Sequence, residues 1–274
     1  VFGNHDLTAM GAYTSEYAKN HNMGASGNTL QTETNDVLSM LEAGKNINGG
    51  ESETSRISYL GRILYTYMGK YMLTANFRRD GSSKFGPGNK WGSFPSASLA
   101  WRISDESFMK GIPQISDLKL RTSYGVVGND APVGSYTYLS GLSSGLDYVF
   151  NGTKYSGVSV TGFNNPSLSW ETVKQFDVAL ELGLFKGLLE ATIEYFDKRT
   201  VDMIVGVPLP TSSGSSGNIN KNVGTILNSG LEFSATVRKN VKGLDFSVTG
   251  NLTTLHNEVL DLGEGKPWDA GSVE

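Results

Sequence analysis

Phe176-Asp177-Val178-Ala179-Leu180-Glu181-Leu182-Gly183-Leu184 decides how this chain is read. Every second residue is apolar (Phe176, Val178, Leu180, Leu182, Leu184), and between them stand Asp177, Ala179, Glu181 and Gly183. Successive side chains of a β-strand point to opposite faces, so this segment is apolar on one side and polar or small on the other. Two-faced strands with charges inside the alternation, repeated many times, are the pattern of a membrane-spanning β-barrel.

The same alternation recurs outward in both directions. Toward the N-terminus it predicts strands over 5–16, 56–67, 71–78, 96–103 and 118–124. Toward the C-terminus it predicts strands over 189–195, 231–238 and 244–253. A polar stretch over about 18–53 separates the first two, and inside it Asn35–Glu42 reads as a short helix. Asn35 is its N-cap, Val37, Leu38 and Leu41 share one side, and Gly44 ends it. Long links (around 18–54, 81–92, 128–167 and 207–222) alternate in constant phase with short ones (68–70, 104–116, 184–187 and 239–243). Outer-membrane barrels sort their connections in this way, with short turns on the periplasmic side and long loops outside. A β-sandwich has no reason to do so. Tyr65, Tyr67 and Tyr71 gather at one short turn and Trp101 before another, as in the aromatic girdles of membrane interfaces.

Composition narrows the classes. The chain has 274 residues, 23 basic and 27 acidic, so no global basic footprint points to nucleic acid. No cysteine is present, which excludes disulfides and thiolate metal sites. Only 38% of residues are hydrophobic and no run of about 18 apolar residues exists, so no transmembrane helix is expected. A barrel escapes that test because half of each strand is polar. The chain starts at Val1 without a signal-like segment, and both ends read as cuts in a longer protein.

At the level of motifs the chain resembles SusC/RagA-type TonB-dependent transporters of the Bacteroidetes outer membrane. The resemblance is carried by Leu73-Thr74-Ala75-Asn76-Phe77-Arg78-Arg79-Asp80-Gly81-Ser82-Ser83-Lys84-Phe85-Gly86, by Phe94-Pro95, and by Ala100-Trp101-Arg102-Ile103-Ser104. It continues through Leu118-Lys119-Leu120-Arg121, Ser123-Tyr124-Gly125 and Gly128-Asn129. Further along, Asn165-Pro166 with Leu168, Trp170 and Glu171, Tyr195 with Asp197-Lys198, and Val207-Pro208-Leu209-Pro210 extend it. Asn222, Gly224, Asn228, Gly230, Leu231 and Glu232 complete the set, in family order.

The resemblance implies a roughly 22-stranded barrel enclosing a plug, capped by a SusD-like surface lipoprotein and driven by TonB. Its cargo would be oligosaccharides or peptides, and its location the bacterial outer membrane. An N-terminal accessory domain, a TonB-contacting segment, a plug and a closing strand are not recognised in residues 1–274. The expected fold is therefore all-β: an antiparallel transmembrane barrel section of about nine strands that forms no closed pore alone.

Candidate site residues fall into three groups. Asp177, Glu181, Glu190 and Glu194 lie on polar faces, and we expect them to face the lumen or plug and pair with Arg121 or Arg238. An acid/base pair of the glycosidase kind is the weaker reading of the same carboxylates. Tyr136, Tyr138, Tyr148, Phe150, Tyr155 and Phe163, flanked by Asn, Ser and Gly in the longest connection, suit stacking of a sugar or peptide. Val37, Leu38 and Leu41 are the candidate partner contact. His5, His21 and His256 are isolated from one another, no metal-binding spacing is present, and neither a metal, a cofactor nor an enzymatic site is expected. Two rivals to the importer remain: a passive porin-like channel and a soluble glycan-binding β-sandwich.

Overall fold

The computed structural model describes residues 3–27, 29–30, 41–44, 46–161, 164–209, 212 and 218–263. In chain order its strands are β1 (His5–Ser26), β2 (Thr29–Leu30), β3 (Leu41–Ala43), β4 (Asn46–Tyr67), β5 (Tyr71–Ser82) and β6 (Trp91–Arg102). There follow β7 (Ile115–Asn129), β8 (Gly141–Ser144), β9 (Tyr148–Phe150), β10 (Thr153–Tyr155), β11 (Val158–Thr161) and β12 (Glu171–Leu184). The last are β13 (Leu189–Val201), β14 (Ile204–Pro208), β15 (Asn218–Asn222), β16 (Thr225–Val241) and β17 (Leu244–Asp261).

Nine of these form one sheet in the order β1-β4-β5-β6-β7-β12-β13-β16-β17. Each neighbouring pair is antiparallel, so the sheet is a meander whose spatial order follows the chain. The remaining strands are paired ribbons in the connections at one end. At the opposite end the links are tight. Between β16 and β17, Lys242 (φ 52°) and Gly243 (φ 87°) both take the left-handed region, the geometry of a two-residue hairpin turn. The link between β6 and β7 carries two 3-10 turns, Ile103–Asp105 and Ser107–Met109.

The register aligns the alternation from strand to strand. One row across the sheet reads Leu7, Tyr65, Leu73, Leu99, Thr122, Val178, Tyr195, Leu231, Thr254. The next contains Trp101, Leu120, Leu180, Ile193, Phe233 and Leu252. These side chains are not sealed between layers: Leu180 is 40%, Ile193 52%, Phe233 42% and Val248 72% exposed. An apolar face of this extent, left bare across nine strands, is far larger than a soluble monomer tolerates. Hydrocarbon is the solvent that suits it. That face excludes the β-sandwich, whose inner rows would be covered.

The one buried apolar cluster among the described residues lies beyond the rows, at the end with the long connections. Phe85, Phe94, Val133, Leu168 and Trp170 form it. The Trp170 ring lies 5.1 Å from Phe85 and 5.4 Å, edge-on, from Phe94. Phe94 needs Gly128 beneath it, because a Cβ there would fall 2.0 Å from its Cζ.

Several elements differ from the expectations above. The polar stretch after residue 17 is mostly strand: β1 and β4 stay paired from Tyr17↔Ser55 to Ser26↔Asn46, past the last β4–β5 pair at Arg56↔Ser82. This two-stranded ribbon extends about 30 Å beyond β5. It has left the hydrocarbon, so the apolar alternation stops while the backbone ladder continues. Lys19 donates to Glu53 at 3.0 Å and His21 sits 3.2 Å from Glu51 across it. Of the helix expected over Asn35–Glu42, Leu41 and Glu42 belong instead to β3, which pairs with β2. Val37 and Leu38 lie outside the described residues. The connections expected to be loops also carry short ribbons, β8–β11 and β14–β15, because Val, Ile and Tyr pairs there sustain local ladders.

Candidate functional site

The face opposite the apolar rows carries the charges. Glu181 on β12 accepts a hydrogen bond from Lys119 Nζ at 3.0 Å and from Arg121 Nε at 2.9 Å, both on β7. Arg121 also pairs with Glu194 on β13. Three adjacent strands are thus clamped by two cations and two carboxylates. Glu190 pairs with Arg238 on β16 nearer the short turns. Asp177 has no cationic partner among the described residues; Ser123 Oγ (3.0 Å) and Gln175 Nε2 (2.8 Å) donate to it. The structure therefore brings Arg121, Glu181 and Glu194 together, and separately Glu190 and Arg238. Asp177 is in neither group. Glu181 and Glu194 are both engaged by one guanidinium.

At the end with the long connections a second network ties them to the wall. Asp130, just after β7, pairs with Arg56 on β4 and accepts from Ser82 Oγ of β5 at 2.8 Å. Lys84 Nζ donates to the Asp130 carbonyl at 2.9 Å. Burial pushes the Asp130 carboxyl up, but the hydrogen bonds from Arg56 and Ser82 and the nearby cationic charges outweigh it and hold it below the usual aspartate range. The apolar cluster lies alongside. Asn222 next joins the 202–224 connection to Ser169, donating from Nδ2 at 2.8 Å to Ser169 O and accepting from Ser169 N at 2.8 Å. Glu171 is buried there and accepts from Asn129 Nδ2 at 2.9 Å. Three connections are so joined into one packed rim. What sequence reasoning missed is the Asp130 pairing: Asp130 lies 74 positions from Arg56 and 48 from Ser82, and no local pattern links them.

Above the rim stands the 141–161 hairpin. Tyr148 and Tyr155 stack at 5.6 Å between centroids, and Phe150 stands exposed near its tip. Tyr136 is exposed at the hairpin base. Tyr138 is placed differently: half-buried, it packs beside Gly86 in the rim. Phe163 lies outside the described residues. The five described aromatic candidates are therefore not one cluster.

At the opposite end, His5, Tyr67, Tyr71 and Trp101 occupy one row, with centroids 4.8, 6.2 and 6.4 Å apart in turn. Glu106, between the two 3-10 turns, accepts from Tyr71 Oη (2.7 Å), Trp101 Nε1 (3.2 Å) and Lys70 Nζ (3.0 Å). The hydrogen bonds from Tyr71, Lys70 and Trp101 hold its carboxyl down to about 2. The row has the character of an interfacial anchor, with two of its four rings, Tyr71 and Trp101, tied by their polar edges to one carboxylate. Among the described residues no group of three or more His, Cys, Asp or Glu could hold a metal ion.

The family described as "TonB dependent receptor-like, beta-barrel" matches residues 2–271. This chain belongs to that family. It is 36% identical over 275 residues to "TonB-dependent receptor P3" of Formosa agariphila, covering 96% of this chain and 26% of that protein. It is 32% identical over 217 residues to "TonB-dependent receptor SusC" of Bacteroides thetaiotaomicron, covering 78% and 22%. The fold matches a chain in the "Structure of the RagAB peptide transporter" with a TM-score of 0.84 at 27% identity, covering 97% of this chain and 29% of that one. The chain spans about a quarter of the length of the curated relatives it matches. It is a section of a SusC/RagA-type outer-membrane barrel, and its relatives are receptors and transporters rather than enzymes.

Proposed function

We propose that this chain is part of the wall of a TonB-dependent importer that carries oligosaccharides or peptides across the outer membrane with a SusD-like lipoprotein. The observation that carries the reading is the division of one nine-stranded sheet into a bare apolar face and a braced, charged face. The first meets lipid, and the second faces the lumen, which receives a plug. Arg121, Glu181, Glu194, Glu190 and Arg238 stiffen that wall, with Asp177 beside them. TonB would act through a segment outside these residues.

Support for the coupled reading over a passive channel comes from the relatives, both named as TonB-dependent receptors. The likeness to the RagAB peptide transporter supports a peptide cargo, and the proposal covers both peptides and oligosaccharides. The Tyr148–Tyr155 stack and Phe150 are the aromatic groups offered outward to cargo or to the lipoprotein. The segment containing Val37, Leu38 and Leu41 remains the proposed partner contact.

The test is uptake by cells carrying the full-length protein, compared with cells lacking it and with cells lacking TonB. Panels of labelled oligosaccharides and peptides serve as probes. Uptake of one class, lost in both deletions, is expected. Uptake that persists without TonB would make the protein a passive channel.

A further inference from the structure

Between the rim and the Glu181 clamp, the polar face opens into a cleft of about 600 Å³ across β4, β5, β6 and the end of β7. Arg56, Arg62, Arg78, Asn76, Ser96 and Asn129 are among the residues lining it. Two of the three guanidinium groups have carboxylates of their own. Arg56 pairs with Asp130. Arg78 Nε donates to both oxygens of Asp80, at 2.7 and 2.8 Å.

Arg62 differs. It has no carboxylate within ion-pair distance among the described residues. Its Nε donates to Asn76 Oδ1 at 2.6 Å, and Asn76 Nδ2 donates in turn to Ser96 Oγ at 3.1 Å. This relay across three strands fixes the guanidinium by one edge. Its two terminal nitrogens make no hydrogen bond among the described residues.

The charge balance of the cleft points the same way. Among its lining residues, Arg56, Arg62 and Arg78 stand against Asp80 and Asp130. One positive charge is in excess, inside a chain whose net charge is −4. The Glu181 clamp, by contrast, is balanced with two cations and two carboxylates. A planar fork of N–H donors, oriented but unpaired and set in a concave wall, matches a carboxylate or sulfate group.

We propose that this cleft is a subsite for an anionic group of the imported oligomer. Arg62 binds that group, and Asn76 and Ser96 are positioning residues. The proposal rests on the importer reading and adds a substrate class to it: acidic oligomers.

The test uses the full-length protein, freed of any other cysteine, in outer-membrane vesicles. A Leu60→Cys variant places a thiol in the cleft, and a Ser144→Cys variant places a reference thiol on the exposed hairpin. Each is labelled with an anionic and with a cationic methanethiosulfonate reagent. At low salt the anionic-to-cationic rate ratio at position 60 is expected to exceed the reference by about fivefold. Arg62→Gln should lower that ratio at least about twofold. Millimolar hexagalacturonate or tetra-aspartate should slow labelling at position 60, and their neutral methyl esters should not. Equal ratios at the two positions, a ratio unmoved by Arg62→Gln, or protection by neither acid overturns the proposal. So does a thiol at position 60 that neither reagent reaches, which would show that another part of the protein fills the cleft. Because labelling needs no transport, a failed importer reading would show itself separately, as uptake indifferent to TonB.

Discussion

Single residues decide how firmly the connections are held. Asp130 joins β4, β5 and the long 130–170 connection through one carboxylate. Asp130→Asn removes the charge that Arg56 faces and should cost about 1–3 kcal/mol, nearer the lower figure because Arg56 is a third exposed. Faster proteolysis of the 130–170 connection would report the loss, and a double-mutant cycle with Arg56→Gln should show coupling between the two sites. The carboxyl is held low, so its stabilising contribution is present above the usual aspartate pKa and disappears as pH falls through the lowered value in the folded protein. Glu106 obeys the same sign: with its carboxyl held at about 2, the anchor with Tyr71 and Trp101 should persist between pH 4.5 and 3 and release only near pH 2. Emission of Trp101, with the other tryptophans replaced, should stay constant across that interval. A transition centred near pH 4.5 would mean that the three donors do not hold the carboxylate.

Elements follow from the solvent each stretch meets. Where a strand crosses hydrocarbon, the alternation is sharp, and β5, β12 and β13 can be read directly from Leu73, Leu180 or Ile193 and their neighbours two positions away. Where the same strand enters water, either face accepts Asn, Gly or Glu and the signal ends. That is why β1 and β4 reach Ser26 and Asn46, far past the boundaries expected at Glu16 and Arg56. Leu41 illustrates the opposite error. Spacing with Val37 and Leu38 suggested a helix, but Leu41 pairs with Leu30 in a ribbon whose partner strand the local window does not contain. The charged clamp was half legible: Arg121 and the carboxylates stood on polar faces, but that Lys119 would complete it needed the β7–β12 register. The Asp130 node and Arg62 were not legible, because their roles arise from strands far apart in sequence.

Parity along β13 is a direct check at this scale. Ile193→Arg places a charge on the apolar face and should reduce folded barrel stability by about 2–4 kcal/mol, whereas Thr192→Arg, on the other face, should cost little. The fraction of heat-resistant folded protein in outer-membrane extracts of full-length variants separates the two. Equal losses at both positions would remove the distinction between faces.

On the scale of the whole molecule, the sheet does not close. β1 and β17 stand at its two ends, and lipid cannot satisfy the backbone groups along their outer edges. The 274 residues therefore need neighbouring strands to complete a barrel, in keeping with relatives about four times as long. We expect the isolated chain to produce no stable single-channel conductance in planar bilayers, and defined conductance steps would show that it closes on itself.

The two faces of that sheet meet different solvents. Spin labels placed one at a time from Phe176 to Leu184, in the full-length protein in bilayers, measure this by collision with oxygen and with a polar nickel complex. Labels at Phe176, Val178, Leu180, Leu182 and Leu184 should collide with oxygen, and those at Asp177, Ala179, Glu181 and Gly183 should not, giving a period of two. Shielding of both sets from both reagents would place these residues inside a sealed protein core and contradict the account.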